Sequence, residues 1–222
     1  MGNRFWIAFG DIHDRIDAAQ RIEGLEQASA VLLSGDLTNA GTREGARRIL
    51  VAVAARNPRI LAQIGNMDTQ AVERVLNEDK VNVHARVTDL GRGVGLAAVG
   101  YSTPTPFGTP SEVREEQITQ WTRDVLDAAG AFAQIILMVH TPPHGTTVDR
   151  LPSGLHVGSP GVRALIEKYQ PAVVVTGHIH EGAGEDHIGR SHVLNPGSFA
   201  AGGYVRIEET PAGLMACLRS TA

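Results

Sequence analysis

The sequence predicts an α/β fold, and three observations carry that prediction. From Phe5 to Glu78, short apolar stretches alternate with helix-like segments. Five apolar stretches along the chain run directly into a short polar motif. The tail, roughly Gly184 to Leu218, is punctuated by Gly and Pro and reads as several antiparallel strands.

The elements follow in order. Phe5 to Phe9 is aromatic and aliphatic throughout and predicts a buried strand. Arg15 to Ala28 has helical spacing, with Ile16, Ala19, Ile22 and Leu25 on one face. Ala30 to Leu33 predicts a second strand. Thr42 can cap a helix running to Arg56, with Glu44 in its first turn. Arg59 to Ile64 predicts a third strand, and Asp68 or Thr69 can cap a helix to Glu78. Such alternation argues for a largely parallel sheet with right-handed crossovers. Ligands bind outside the carboxyl ends of strands in open sheets of this kind.

The middle is less regular. Arg86 to Gly100 gives short strand-like pieces broken by glycines, and Tyr101 to Pro110 is a Pro- and Thr-rich loop, either a lid or a rigid connector. Glu112 to Ala129 predicts a helix burying Val113, Ile118, Trp121, Val125 and Leu126. Gln134 to Val139 is the clearest strand of the second half. A long Pro- and Gly-rich loop, His140 to Gly158, follows it. Ser159 then caps a helix to Tyr169, with Pro160 at its first position, and Ala172 to Thr176 is another buried strand.

At 222 residues and 42% hydrophobic, the chain suits one domain over residues 1–222. A net charge of −4 gives no sign of a general nucleic-acid surface. The single cysteine, Cys217, precludes an internal disulfide framework and reads as a small buried residue. No stretch has the roughly 18 apolar residues of a membrane span, and the N-terminus shows neither a signal-peptide nor a myristoylation pattern. The expectation is a soluble, cytoplasmic protein. Oligomeric state stays open, a homodimer included.

The five motifs are Asp11-Ile12-His13, Gly35-Asp36, Gly65-Asn66, Val139-His140 and Gly177-His178-Ile179-His180. They supply two carboxylates, one amide and four imidazoles. Alone, Gly35-Asp36 and Gly65-Asn66 are turn signals, and His140 reads as a satisfied buried histidine. Together, at successive strand ends, they read as a site for two divalent metal ions. Asp11 and His13, like His178 and His180, are two residues apart and reach one ion from an extended segment. Asp36 is the natural carboxylate to lie between two ions. Ions roughly 3.5–4 Å apart acidify a bridging water, withdraw charge from phosphoryl oxygens and align attack with departure. Metal-assisted phosphate ester hydrolysis is the chemistry this donor set serves.

These motifs, with Met67-Asp68 extending the third, resemble the calcineurin-like metallophosphoesterase superfamily. His140-Thr141-Pro142-Pro143, Val148-Asp149, His156-Val157-Gly158-Ser159, Gly177 through Glu181 and Asn195-Pro196-Gly197-Ser198 further resemble its Icc-related phosphoesterases. The resemblance implies a four-layer α/β/β/α sandwich of two mixed sheets with flanking helices. It places Asp11, His13 and His180 on a first metal, Asn66, His140 and His178 on a second, and Asp36 between them. It implies Mn, Fe, Zn, Ni, Co or Mg as the metals. Manganese is favoured, and four imidazoles argue against an exclusively Mg site.

One position departs from the pattern. Many members carry, directly after the motif's Asn, a His that serves the leaving group; here it is Met67, which has no proton to give. General acid help is typically worth about 10²–10⁴-fold. The expectation is therefore a phosphodiesterase acting by attack of a metal-bridging hydroxide on a small phosphodiester or nucleotide. His144 and His156, in the loop after His140, are candidate pocket residues along with Met67. A phosphomonoesterase, including a protein phosphatase, and a non-catalytic metal-binding interaction scaffold are the alternatives.

Overall fold

Residues 4–221 are described by a computed structural model. Eleven strands and four α-helices run in the order β1 (Phe5–Phe9), β2 (Val31–Leu33), α1 (Arg43–Ala54), β3 (Ile60–Ala62), α2 (Gln70–Glu78), β4 (Arg86–Gly91), β5 (Val94–Val99), α3 (Glu115–Ala128), β6 (Gln134–Val139), α4 (Pro160–Tyr169), β7 (Val173–Val175), β8 (Gly184–Ile188), β9 (Ser191–Asn195), β10 (Gly203–Thr210) and β11 (Gly213–Ser220).

They form two mixed sheets. The first has the order β11-β10-β1-β2-β3, the second β4-β5-β6-β7-β9-β8. Strands β1, β2 and β3 are mutually parallel, as are β5, β6, β7 and β9. Antiparallel β10 and β11 extend the first sheet, while β4 and β8 edge the second. Within the tail β8 pairs antiparallel with β9 and β10 with β11, as its punctuation predicts, while β9 also joins β7 in parallel.

Strand periodicity builds the layers. Successive side chains point to opposite faces, so β1 sends Phe5, Ile7 and Phe9 toward α1 and α2. It sends Trp6 and Ala8 the other way, against Ile136, Met138 and Val175 of the second sheet. On that sheet's outer face, Leu137, Val139 and Val174 meet Ile118 and Leu126 of α3 and Leu165 and Ile166 of α4. Three apolar layers thus separate four layers of secondary structure, an α/β/β/α sandwich. Strands covered on both faces are apolar at every position, which is why β2 and β7 read as continuous aliphatic runs.

Helix starts follow the local chemistry. Thr42 Oγ1 accepts from Gly45 N, and Ser159 Oγ accepts from Val162 N with Pro160 beginning α4. At α2 the cap differs from expectation: neither Asp68 nor Thr69 caps it through its side chain. α3 starts three residues later than its apolar pattern suggests, because the Glu112 side chain is bound by the preceding loop.

The segment Arg15 to Ala28 is not an α-helix. It forms two short 3-10 turns, Asp17–Arg21 and Leu25–Gln27, separated by Gly24 at φ +75°. Its carbonyls are taken by side chains from beyond α1. Arg56 donates to Ala19 O and Ile22 O, and Asn57 Nδ2 donates to Leu25 O and Ala28 O. Ala19, Ile22 and Leu25 still bury, so the apolar spacing is satisfied without the helix. Cys217, on β11, is half-buried rather than buried. No helix among the described residues is long and apolar enough to cross a membrane.

His84, in the turn before β4, joins the end of β5 to α3. Its Nδ1 accepts from Gly100 N at 3.0 Å, and its ring stands edge-on to Trp121 at 4.6 Å. Burial, with a smaller contribution from Arg86, lowers its pKa to about 4. The folded state therefore favours neutral His84 over the unfolded chain, whose value is near 6.5. That stability is full above pH 6.5 and is lost as pH falls toward 4. We expect His84→Gln to reduce the acid-induced loss between pH 7 and 4 by roughly 3 kcal/mol. Urea unfolding at both pH values checks it; an unchanged difference between them would contradict the assignment.

Candidate metal centre

The parallel strands of both sheets finish at one end of the molecule. Strands β1, β2 and β3 lead into Asp11, Asp36 and Asn66, while β6 and β7 lead into His140 and the His178–His180 pair. The chain must leave the sheet abruptly while these side chains stay aimed at one point. It does so with left-handed backbone at Asp11 (φ +49°), His13 (φ +46°), Asp36 (φ +49°) and His178 (φ +71°). Such conformations are uncommon outside glycine and cost on the order of 1 kcal/mol or more each. Hydrogen bonds between loops hold them: Ile12 N (2.7 Å) and His13 N (3.1 Å) both donate to Asp36 O. Gly65 must lack a side chain, because a Cβ there would fall on the Asp36 carboxylate.

All seven residues expected from the motifs come together, in two groups. His13 Nε2 and His180 Nε2 are 3.1 Å apart, and His180 Nε2 lies 3.3 Å from Asp11 Oδ1. On the other side, Asn66 Oδ1 is 3.1 Å from His140 Nε2 and 2.6 Å from His178 Nδ1. Between them stands Asp36, whose Oδ2 faces His13 Nε2 at 3.7 Å and His140 Nε2 at 3.5 Å. Donors bonded to one ion at about 2.0–2.2 Å sit roughly 3 Å from one another. The observed spacings fit that requirement. Asp11, His13 and His180 form one tight cluster of potential ligand atoms, and Asp11, Asp36 and His140 form another.

The electrostatics favour cations. Asp11 and Asp36 are buried. Burial alone would raise the Asp36 pKa, but the charges of His140 and His13 outweigh it and lower it. Burial opposes a charge on His140 too; Asp36 and Asp11 overcome it and push the imidazole up to about 9. Its Nδ1 lies 2.9 Å from Ser34 O, which leaves Nε2 facing the centre. His178 is driven to about 4 by burial and by His140, so it presents a neutral ring. Burial also lowers His13, while the Asp11 hydrogen bond raises His180.

Above the centre opens a cleft of about 1060 Å³. His13, Asp36, Asn66, Met67, His178 and His180 form its floor, with Asp11 and His140 beneath. One wall is the loop from Thr103 to Pro110 and the other runs from Leu151 to Val157. His144 and His156 are not part of these walls. His144 is exposed, with its ring 5.8 Å from that of His156. His156 Nδ1 lies 2.7 Å from Asp149, whose carboxylate also accepts from Gly145, Thr146 and Gly158 N–H groups. That carboxylate organises the long loop after His140.

Several residues support the centre in ways the sequence reading did not assign to them. Asn195 Nδ2 donates to Ile179 O at 2.8 Å, steadying the turn between His178 and His180. Phe199 N donates to Asp11 O, and its ring stacks on Phe9 at 4.3 Å. Fully buried Asp68 accepts from Leu37 N (3.0 Å), Thr38 N (2.8 Å), Thr38 Oγ1 (2.8 Å) and Gly65 N (3.1 Å). It thereby ties the Asp36 loop to the Asn66 loop. Burial and the Asp36 charge nevertheless raise its pKa to about 7. Its place beside Asn66 in the motif was the available signal.

Two packed sheets with an Asp/His/Asn cluster where their parallel strands end describe a metallophosphoesterase domain. Residues 125–212 match the family model described as metallophosphoesterase, calcineurin superfamily. The uncharacterized protein MJ1162 of Methanocaldococcus jannaschii is 31% identical over 195 residues, covering 86% of each chain. The chain belongs to the calcineurin-like metallophosphoesterase superfamily, a family of metal-dependent phosphoesterases. Among solved structures, TT1561 of Thermus thermophilus superposes over 100% of both chains at a TM-score of 0.74 and 20% identity. A 5'-nucleotidase from Candida albicans matches 98% of this chain and 51% of its own at a TM-score of 0.59 and 14% identity. At those identities the likeness is one of fold.

Removing the Asp68 carboxylate should be costly, since Asp68→Ala leaves three buried backbone donors without an acceptor. Each such loss costs about 1–3 kcal/mol, so we expect at least about 3 kcal/mol in all. Urea unfolding of chelator-treated protein measures it, and a change below about 1 kcal/mol would refute the role.

Proposed function

We propose that this protein is a dinuclear metal-dependent phosphodiesterase. The observation that carries the reading is Asp36, a buried carboxylate facing one imidazole from each donor group. In this reading Asp11, His13 and His180 hold one divalent ion. Asn66, His140 and His178 hold the other, and Asp36 is shared. When bound, two divalent ions supply Lewis acidity to the phosphoryl oxygens and acidify a water. In hydrolysis the water oxygen forms a bond to phosphorus, the P–O bond to one alcohol breaks, and a phosphomonoester and that alcohol leave. The chain's own residues orient the ester over the floor of the cleft and shield it on two sides.

Met67 supports diesters over monoesters of poor leaving groups. It lines the cleft beside Asn66, and its backbone N–H donates to Asp36 Oδ1 at 2.8 Å. Among the described residues lining the cleft, the imidazoles are His13, His178 and His180, all assigned as ligands. None remains to serve a departing alkoxide. A phosphomonoesterase acting on poor leaving groups, a protein phosphatase included, would need such a donor. A non-catalytic scaffold would not need the full set of seven donors. The mixed oxygen and imidazole set suits manganese, and the reading is of a protein working in the cytoplasm.

Metal-reconstituted hydrolysis of bis(p-nitrophenyl) phosphate and p-nitrophenyl phosphate tests this, with Mn added first, then Ni, Zn and Mg. We expect two ions per chain and faster diester turnover. Asp36→Asn should lower that turnover by about two orders of magnitude or more. Preference for the monoester would overturn the diesterase reading, and two bound ions with no turnover of either would favour the scaffold.

Asn66 offers a second test. Its Nδ2 donates to Thr109 Oγ1 at 3.0 Å, and Thr109 Oγ1 donates to Glu112 Oε1 at 2.6 Å. This chain fixes the amide so that Oδ1 faces His140 and His178. Supporting contacts of this kind typically alter metal affinity 10–100-fold. Calorimetric Mn titration should show Thr109→Val weakening one of two binding events by about that factor, with Thr109→Ser close to wild type. Equal affinity in Thr109→Val would show that the amide needs no such anchor.

A further inference from the structure

Among the described residues, four large apolar side chains are strongly exposed: Val51, Phe107, Leu155 and Met215. Two of them belong to the cleft. Phe107 is 86% exposed on one wall and Leu155 is 61% exposed on the other. Exposed apolar groups scattered singly need no explanation, but two facing a common cleft above a polar centre mark a binding surface. Pro104, Pro106, Pro110 and Pro152 continue the same apolar lining. Met67 brings it down to the floor, where its thioether offers a soft contact for an aromatic ring.

Charge tells the same story by omission and by sign. Among the described residues lining the cleft there is no Lys and no Arg. Apart from the centre, the charged lining residue is Glu181, which is exposed at the rim. A second phosphate or carboxylate on the substrate would meet a carboxylate and no guanidinium or ammonium there. The cleft is also far larger than a phosphoryl group requires, and its volume is that of a site for a drug-sized ligand.

We propose that the substrate is a phosphodiester carrying one uncharged aromatic arm, held between Phe107 and Leu155, and no anionic group beyond the diester itself. This rests on the phosphodiesterase reading above and adds the identity of the ester arm. The phosphate carries a single negative charge, which the metal centre receives. The flat arm stacks on the Phe107 ring and covers Leu155, while the leaving alcohol sits over Met67. Asn39 and Ser153, also in the lining, give polar edges on an aromatic arm something to meet.

The test keeps the leaving group constant and changes the arm. Methyl, phenyl and 4-carboxyphenyl p-nitrophenyl phosphates are compared by kcat/KM in the Mn-loaded protein, in wild type, Phe107→Ala and Leu155→Ala. We expect phenyl to exceed methyl by about tenfold or more, and carboxyphenyl to fall below phenyl. Each variant should shrink the phenyl-to-methyl ratio. Equal methyl and phenyl values, a preference for the carboxylate, or a ratio unmoved in both variants would overturn the proposal.

A binding measurement separates this proposal from the hydrolytic reading on which it rests. Diphenylphosphinate and dimethylphosphinate have no ester bond to cleave, and calorimetry gives their Kd values directly. Tighter binding of the diphenyl compound, reduced in Phe107→Ala, supports the aromatic subsite even if no diester is turned over. In that case the hydrolytic reading alone fails. Equal binding of the two overturns the subsite even if turnover is seen.

Discussion

The apolar layer between the two sheets sets the geometry on which the candidate metal centre depends. Trp6, Ala8 and Leu32 from the first sheet pack against Ile136, Met138 and Val175 from the second. The first sheet carries Asp11, His13, Asp36 and Asn66 on the loops beyond its strands, and the second carries His140, His178 and His180. Neither sheet alone offers a complete donor group. A displacement of one sheet by an ångström would separate Asn66 from His140 and His13 from His180. Close-packed interiors resist such shifts because they deform little. The site is therefore as rigid as the core beneath it.

That rigidity holds an unfavourable arrangement together. Three carboxylates, Asp11, Asp36 and Asp68, are buried close to the same loops, and burial disfavours each negative charge. Asp68 is answered by backbone N–H groups and the Thr38 hydroxyl. Asp36 is answered by imidazoles and by Met67 N–H. The left-handed backbone at four of the seven candidate ligands adds local strain. Consistent local choices elsewhere in the fold, in capped helices and fully apolar strands, offset this concentrated cost.

What could be read from sequence was what is local. Asp11 with His13, and His178 with His180, carry their message within three residues, and the apolar runs before them locate the strand ends. Apolar spacing from Ile16 to Leu25 correctly marks which side chains bury, but it fits two 3-10 turns as well as a helix. The difference was decided by Arg56 and Asn57, some thirty residues away in the chain. Asp68 was visible as a motif residue, yet its task is to join loops after β2 and β3, a relation that no local pattern encodes. His144 and His156 were drawn in by proximity to His140 in sequence. The structure turns the loop so that Asp149 gathers it and Leu151, Leu155 and Val157 face the cleft instead.

The wall from Thr103 to Pro110 has one more consequence. Its prolines fix φ, and Glu112 gathers Thr105 and Thr109 into one hydrogen-bonded knot. These contacts favour the connector reading of the segment over the lid. Chain entropy that a swinging flap would surrender at each encounter is lost here once, during folding. Under the proposed function, a wall held in this way would let substrate enter and leave with no gate to wait for. That arrangement would trade the sealed, water-free chamber of a closing enzyme for rapid exchange with the solution around it.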